Sequence, residues 1–147
     1  MFTVRHVFEE DKAFWFTLDR HFSESEFMLK IRDKRGYVLC DDEKPIGIMR
    51  YNLFWDTVPF LTLICIDETC RKKGFGRQAM LYWENEMREL GYDMIMTSTR
   101  VDEEAQHFYR KLGYIDRGGI FLENTPFEQP QELFLLKVLS DFRTPSK

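Results

Sequence analysis

The chain is poor in cysteine, in net charge and in long apolar runs, and each shortage excludes a class of protein. Its three cysteines, Cys40, Cys65 and Cys70, form no C-x-x-C pair and leave one unmatched. That argues against a disulfide framework and for reduced thiols in a cytoplasmic protein, and no metal-binding motif is read. No uninterrupted apolar run approaches the roughly 20 residues of a membrane span, so no membrane association is expected. The first dozen residues carry Arg5, Glu9, Glu10, Asp11 and Lys12, charges that do not suit a signal peptide. A net charge of -4 and a pI near 5.4 argue against a general nucleic-acid binder and leave room only for a local basic patch. No linker, low-complexity tract or break in composition divides the sequence, which is expected to form one domain over residues 1–147.

What is present is aromatic. The chain is 44% hydrophobic and 16% aromatic, with 14 Phe, a load that demands a packed interior. "FTVRHV" reads as an opening strand, and residues 9–22 and 23–33 as two helical segments; Ser23 and Glu26 stand at capping-box spacing. Residues 37–55 read as a hairpin turning at "DDEKP", and "DTVP" as the next connection. "FLTLICID" (60–67) is almost wholly apolar, which predicts a central strand covered on both faces. Phe75, Ala79, Trp83, Met87 and Leu90 then recur at helical spacing, as do Val101, Ala105, Phe108 and Leu112. Both helices end in "LGY", which predicts left-handed glycine caps. "YDMIMTS" lies between them as a strand, and "GGIFLE" and "ELFLLKVLS" close the chain. The order is mixed α/β, with an antiparallel start and one strand–helix–strand crossover.

The chemistry concentrates at "RKKGFG", Arg71 to Gly76, between the apolar strand and the helix that follows it. A helix start offers unpaired N–H groups and about half a positive charge. Gly74 and Gly76 would let an anion approach the backbone, and Arg71, Lys72, Lys73 and Arg77 add full charges. Together these describe a cradle for a diphosphate, although the same residues also suit a tight turn with solvated cations. The spacing is not that of a P-loop. Gly74, Gly76 and Ala79 do satisfy a dinucleotide fingerprint. Yet "TSTR" stands where the following strand should end in a ribose-binding acid, and a hairpin and two helices come first, so that reading fails.

The second motif is "AQHFYRKLGY", residues 105–114. Alone it could simply be two aromatics packing a helix against a sheet. Taken with the first, the sequence resembles the GNAT acetyltransferase superfamily, whose pyrophosphate signature R/Q-x-x-G-x-G/A is matched by Arg71, Gly74 and Gly76. The family's later A-x-x-F/L-Y-x-K-x-G-F/Y is matched by Ala105, Phe108, Tyr109, Lys111, Gly113 and Tyr114. The resemblance implies a central mixed sheet flanked by helices with a splayed pair of parallel strands, and transfer of acetyl from acetyl-CoA to a primary amine. It implies that the pantetheine arm lies along Ile64, Cys65 and Ile66, with the Cys65 backbone N–H polarising the thioester carbonyl. It places the pyrophosphate on Lys72, Lys73, Gly74, Phe75, Gly76 and Arg77, and it makes Tyr109 the acid that protonates the departing thiolate. Phe108, Lys111 and Asp102 would complete the cofactor set.

Two departures qualify the match. Asp102 stands where many members have Asn, and Thr62 or Leu63 where many have a glutamate base; Asp56, His21 and Glu26 are substitute candidates. Trp15, Phe16, Tyr51, Phe54 and Trp55 would either line an acceptor groove or belong to the core. The implied partner is a small-molecule or peptide amine, with the protein a monomer or homodimer. A non-enzymatic acyl-CoA-binding module is the alternative.

Overall fold

The computed structural model describes residues 1–140, which form seven strands and four α-helices. They fall into two compact units. The first holds residues 1–52 and 61–85, and the second holds Leu53–Phe60 and the chain from Glu86 onward.

The first unit holds β1 (Phe2–His6), β2 (Gly36–Asp41) and the larger parts of β3 (Lys44–Phe54) and β4 (Val58–Ile66), in that order. β1–β2 and β2–β3 are antiparallel. The hairpin between β2 and β3 is tighter than "DDEKP" suggests: Asp41 pairs with Lys44 across a two-residue turn. Asp42 and Glu43 both have positive φ (49° and 69°), the pattern whose twist matches the flanking strands, so Pro45 joins β3. One face of this sheet carries α1 (Lys12–Leu18) and α2 (Glu24–Asp33), over a core of Val7, Trp15, Phe27, Val38, Cys40 and Ile48. Alternation along the strands sends Tyr37 and Tyr51 to the other face, where Tyr51 meets Trp83 of α3 (Phe75–Glu89) at 5.7 Å. Trp15 and Tyr51 are therefore core.

The single helix expected over residues 9–22 is shorter. A 3-10 turn at Glu9–Asp11 leads into α1, which stops at Leu18. Asp19 leaves helical geometry (φ −113°, ψ 70°), and its carboxylate accepts from Trp15 Nε1 of α1 and from the distant Arg50. The second helix is as expected, with Ser23 accepting a hydrogen bond from the Glu26 N–H. Lys30 on α2 is buried and donates to the Tyr51 carbonyl at 3.0 Å, and that burial pushes its ammonium pKa down. β4 departs from expectation: Pro59 and Leu61 are buried, but Thr62 through Ile66 are only half-buried, so its C-terminal half lacks cover.

In the second unit β5 (Met94–Arg100) and β6 (Ile115–Ile120) each pair antiparallel with β7 (Glu132–Val138), and α4 (Ala105–Lys111) precedes β6. The two "LGY" stops behave identically. Gly91 and Gly113 have φ of 92° and 94°. Tyr92 donates to the Met87 carbonyl and Gly91 to that of Arg88; Tyr114 and Gly113 repeat this with Tyr109 and Arg110. Each pair satisfies two orphan carbonyls at a helix end. Leu90 and Val101, expected on apolar helix faces, are exposed: Leu90 sits at the cap and Val101 lies in the turn before α4. Trp55, at the tip of the β3–β4 connection, is 78% exposed.

Candidate active site

The first part of the site is the chain from β4 to α3. Strand alternation places Leu63 and Cys65 toward the α1–α2 core, which both partly cover, and turns Ile64 and Ile66 away. After Ile66 the chain makes a 3-10 turn, Glu68–Cys70, capped by Asp67, whose carboxylate accepts from the Thr69 N–H at 3.3 Å. Arg71 folds back so that its Nε donates to the Ile66 carbonyl at 2.9 Å, closing the strand end. Lys72 (φ 63°) and Gly74 (φ 82°) then take left-handed backbone, and the Gly74 carbonyl accepts the first bond of α3, from Gln78 at 3.2 Å.

Gly74 is needed for its backbone conformation (φ 82°). Its φ strains any residue with a β-carbon. A β-carbon built there would meet nothing within 4 Å, so the space above the helix start is open. The N–H groups of Phe75, Gly76 and Arg77 have no acceptor within the helix. Phe75 stacks on Phe2 at 5.2 Å, which anchors that first turn. Lys72, Lys73 and Arg77 are exposed and make no ion pair among the described residues. The result is an open corner with free amides and uncommitted cations.

Beside this corner lies a cleft of about 420 Å³, lined by Thr17, Leu18 and Arg20 from the end of α1, Cys65 from β4, and Asp67, Glu68 and Arg71. Of the residues that the apolar strand was expected to bring to a ligand, Cys65 is the one lining it.

The residues of the second motif belong to the other unit. Tyr109 on α4 is 6% exposed, its hydroxyl shares a hydrogen bond with the Thr97 side chain, and burial pushes the phenol above its ordinary value. Its ring sits edge-on to Phe108 (5.3 Å) and Tyr114 (5.7 Å). Such a phenol stays protonated at neutral pH, the state a proton donor requires. Phe108 is half-buried and Lys111 exposed. Asp102 is held by Arg100 in a two-bond pair at 3.1 and 2.9 Å, and Glu103 accepts from the Arg100 N–H at 3.0 Å. The acids before α4 are thus largely taken up by their own turn.

None of the sequence's substitute bases is set into a buried site. Asp56 lies exposed in the β3–β4 turn, and His21 and Glu26 are exposed on the first unit. Thr62, one of the places where a glutamate base was sought, uses its hydroxyl on Arg50: it donates to the Arg50 carbonyl at 3.1 Å and accepts from its guanidinium at 2.9 Å. That contact belongs to a polar cluster the sequence gave no sign of. Arg50 also donates to Asp19 from Nε (2.9 Å) and from its second terminal nitrogen (3.4 Å). Trp15 Nε1 donates to the same carboxylate at 3.1 Å, and the guanidinium lies 4.0 Å from the Phe22 ring centre. Only Trp15 and Asp19 stand at local spacing; the partners of Arg50, 12 and 31 residues away, leave none to read.

Comparison with known proteins bears on the family and the fold. The family model described as "Acetyltransferase (GNAT) family" matches residues 3–114. Searching curated proteins gives no significant sequence match. Among solved structures, the ribosomal-protein-S18-alanine N-acetyltransferase from Escherichia coli superposes with a TM-score of 0.79 at 18% identity, over 95% of each chain. The spermidine/spermine N-acetyltransferase SpeG from Vibrio cholerae gives 0.77 at 18%, over 95% of this chain and 93% of its own. Arabidopsis thaliana Naa50, in complex with the bisubstrate analogue CoA-Ac-MVNAL, gives 0.76 at 12%, over 92% and 97%. At these identities the likeness is one of fold.

Proposed function

The chain belongs to the acetyltransferase (GNAT) family, and from that premise we propose that it moves an acetyl group from acetyl-CoA directly to a primary amine. The observation that carries the reading is the open corner at Gly74, where unpaired amides and uncommitted cations face space that no side chain fills. A diphosphate carries the charge and the acceptor oxygens such a corner lacks. With the pyrophosphate there, the half-covered end of β4 offers backbone to the pantetheine arm as an added strand would use it, and the Cys65 N–H polarises the thioester carbonyl.

The amine lone pair attacks the thioester carbon, the carbon–sulfur bond breaks, and the thiolate takes a proton from Tyr109; the nitrogen loses one to water, and Tyr109 is reprotonated from water. A thiol of pKa about 8.5 facing a phenol of about 10 makes that transfer uphill, and burial of Tyr109 increases the slope. The Tyr109 contribution is therefore one of position: a neutral phenol held by Thr97.

The acceptor must arrive neutral. Deprotonating a lysine-like amine at pH 7 costs about 4.6 kcal/mol, against about 1.1 kcal/mol for an α-amine. With Thr62 committed to Arg50 and Asp56, His21 and Glu26 exposed, a weakly basic α-amine is the favoured acceptor. The proteins of similar fold are named for both kinds, a ribosomal alanine and a polyamine. A screen of peptide α-amines and small amines against radiolabelled acetyl-CoA, read as labelled product and free CoA thiol, tests the proposal. Transfer to at least one amine supports it; binding of acetyl-CoA without transfer to any supports the second reading, an acyl-CoA-binding module. The near-complete burial of Tyr109 is the observation that favours this second reading.

A further inference from the structure

The polar cluster around Arg50 is used by nothing in the proposed chemistry, yet it lies against the wall of the cleft. Asp19 ends α1, directly between Leu18 and Arg20, and both of these line the cleft with Cys65. The Asp19 carboxylate is 9% exposed and the Arg50 side chain 18%, so the pair is shielded from solvent. Arg50 ties two segments to its own strand β3: the α1–α2 connection, through Asp19 and the Phe22 ring, and β4, through Thr62. Trp15 Nε1 fixes the carboxylate from below, out of the core. A planar guanidinium with donors on three nitrogens can do this, and an ammonium cannot.

We propose that Arg50 is a positioning residue, clamping residues 19–22 onto β3 and β4 and so setting the width of the cleft beside Cys65 and the bulk of the acceptor admitted there. The acceptor part rests on the acetyltransferase reading; the cleft width does not. Arg50 acts through Asp19 and Thr62.

The Cys65 thiol reports the width. In a Cys70→Ser background, its alkylation is followed by mass spectrometry with two reagents, iodoacetamide and a bulky aryl maleimide. Arg50→Lys is expected to raise the ratio of the bulky to the small reagent's rate at Cys65 at least threefold, with buried Cys40 protected throughout. A smaller change in that ratio overturns the proposal. Should Cys40 react as well, Arg50→Lys has loosened the whole unit, and Thr62→Val, which removes one tie, decides instead: a rise of at least twofold supports the clamp, and less overturns it. Saturating acetyl-CoA should slow Cys65 in the background protein. If it does not, the acetyltransferase reading fails while the clamp stands on the ratio alone.

Discussion

Two turns in this chain lead from a strand into a helix, and they treat charge in opposite ways. Before α3, Lys72, Lys73 and Arg77 are exposed without ion partners among the described residues, and Gly74 leaves the helix start open. Before α4, Arg100 is locked to Asp102 in a two-bond pair, and Glu103 caps the Arg100 N–H. Both turns begin a helix with the same positive dipole. One leaves its cations and its helix start open, and the other spends two of its acids on Arg100 at the end of β5. On the proposed reading α3 holds the phosphate, while α4 contributes a buried phenol.

If the two helices divide the labour in this way, variants at each should move different parameters. The largest effect is expected for Tyr109→Phe: kcat falls by at least about tenfold, within the ~10²–10⁴-fold range of general acid help, while acetyl-CoA affinity measured by calorimetry holds. Next, the triple replacement of Lys72, Lys73 and Arg77 by Gln should weaken acetyl-CoA about tenfold, three exposed charges each contributing roughly 0.3–1 kcal/mol. The same triple should flatten the salt dependence of binding and leave kcat at saturation unchanged. A kcat loss there, or a binding loss in Tyr109→Phe, would merge the two roles.

How much of this was legible follows from the distance between partners. The LGY caps and the Ser23 cap were readable because each is made by residues within six positions of one another. The tight turn into α3 was readable because its residues are consecutive. The early stop of α1 was not, since the carboxylate of Asp19 is held by Arg50, 31 residues on. Nor was the thin cover of β4: an apolar run states what a strand could bury, and not what comes to lie over it. Burial of Tyr109 was likewise hidden, because helical spacing gives a face but not its depth.

That burial gives a pH effect. The fold holds the phenol neutral above its ordinary value of 10.0, so the stabilisation is fully present below that pH and is lost as the pH rises through the folded value. Above a pH of about 10 the melting temperature of the wild type should fall faster than that of Tyr109→Phe; parallel curves would show a phenol reached by solvent. The smallest effect is expected at Asp102→Asn. With its carboxylate already held by Arg100, the change should alter acetyl-CoA affinity by no more than about twofold, the scale of an exposed ion pair.

The most direct measurement is an amide NMR titration of ¹⁵N-labelled protein with acetyl-CoA. The N–H resonances of Lys73, Gly74, Phe75, Gly76 and Arg77 should move downfield as they bond phosphate oxygens, while those from Asp102 to Gln106 stay in place. Shifts centred on the start of α4, with the α3 corner silent, would contradict the account.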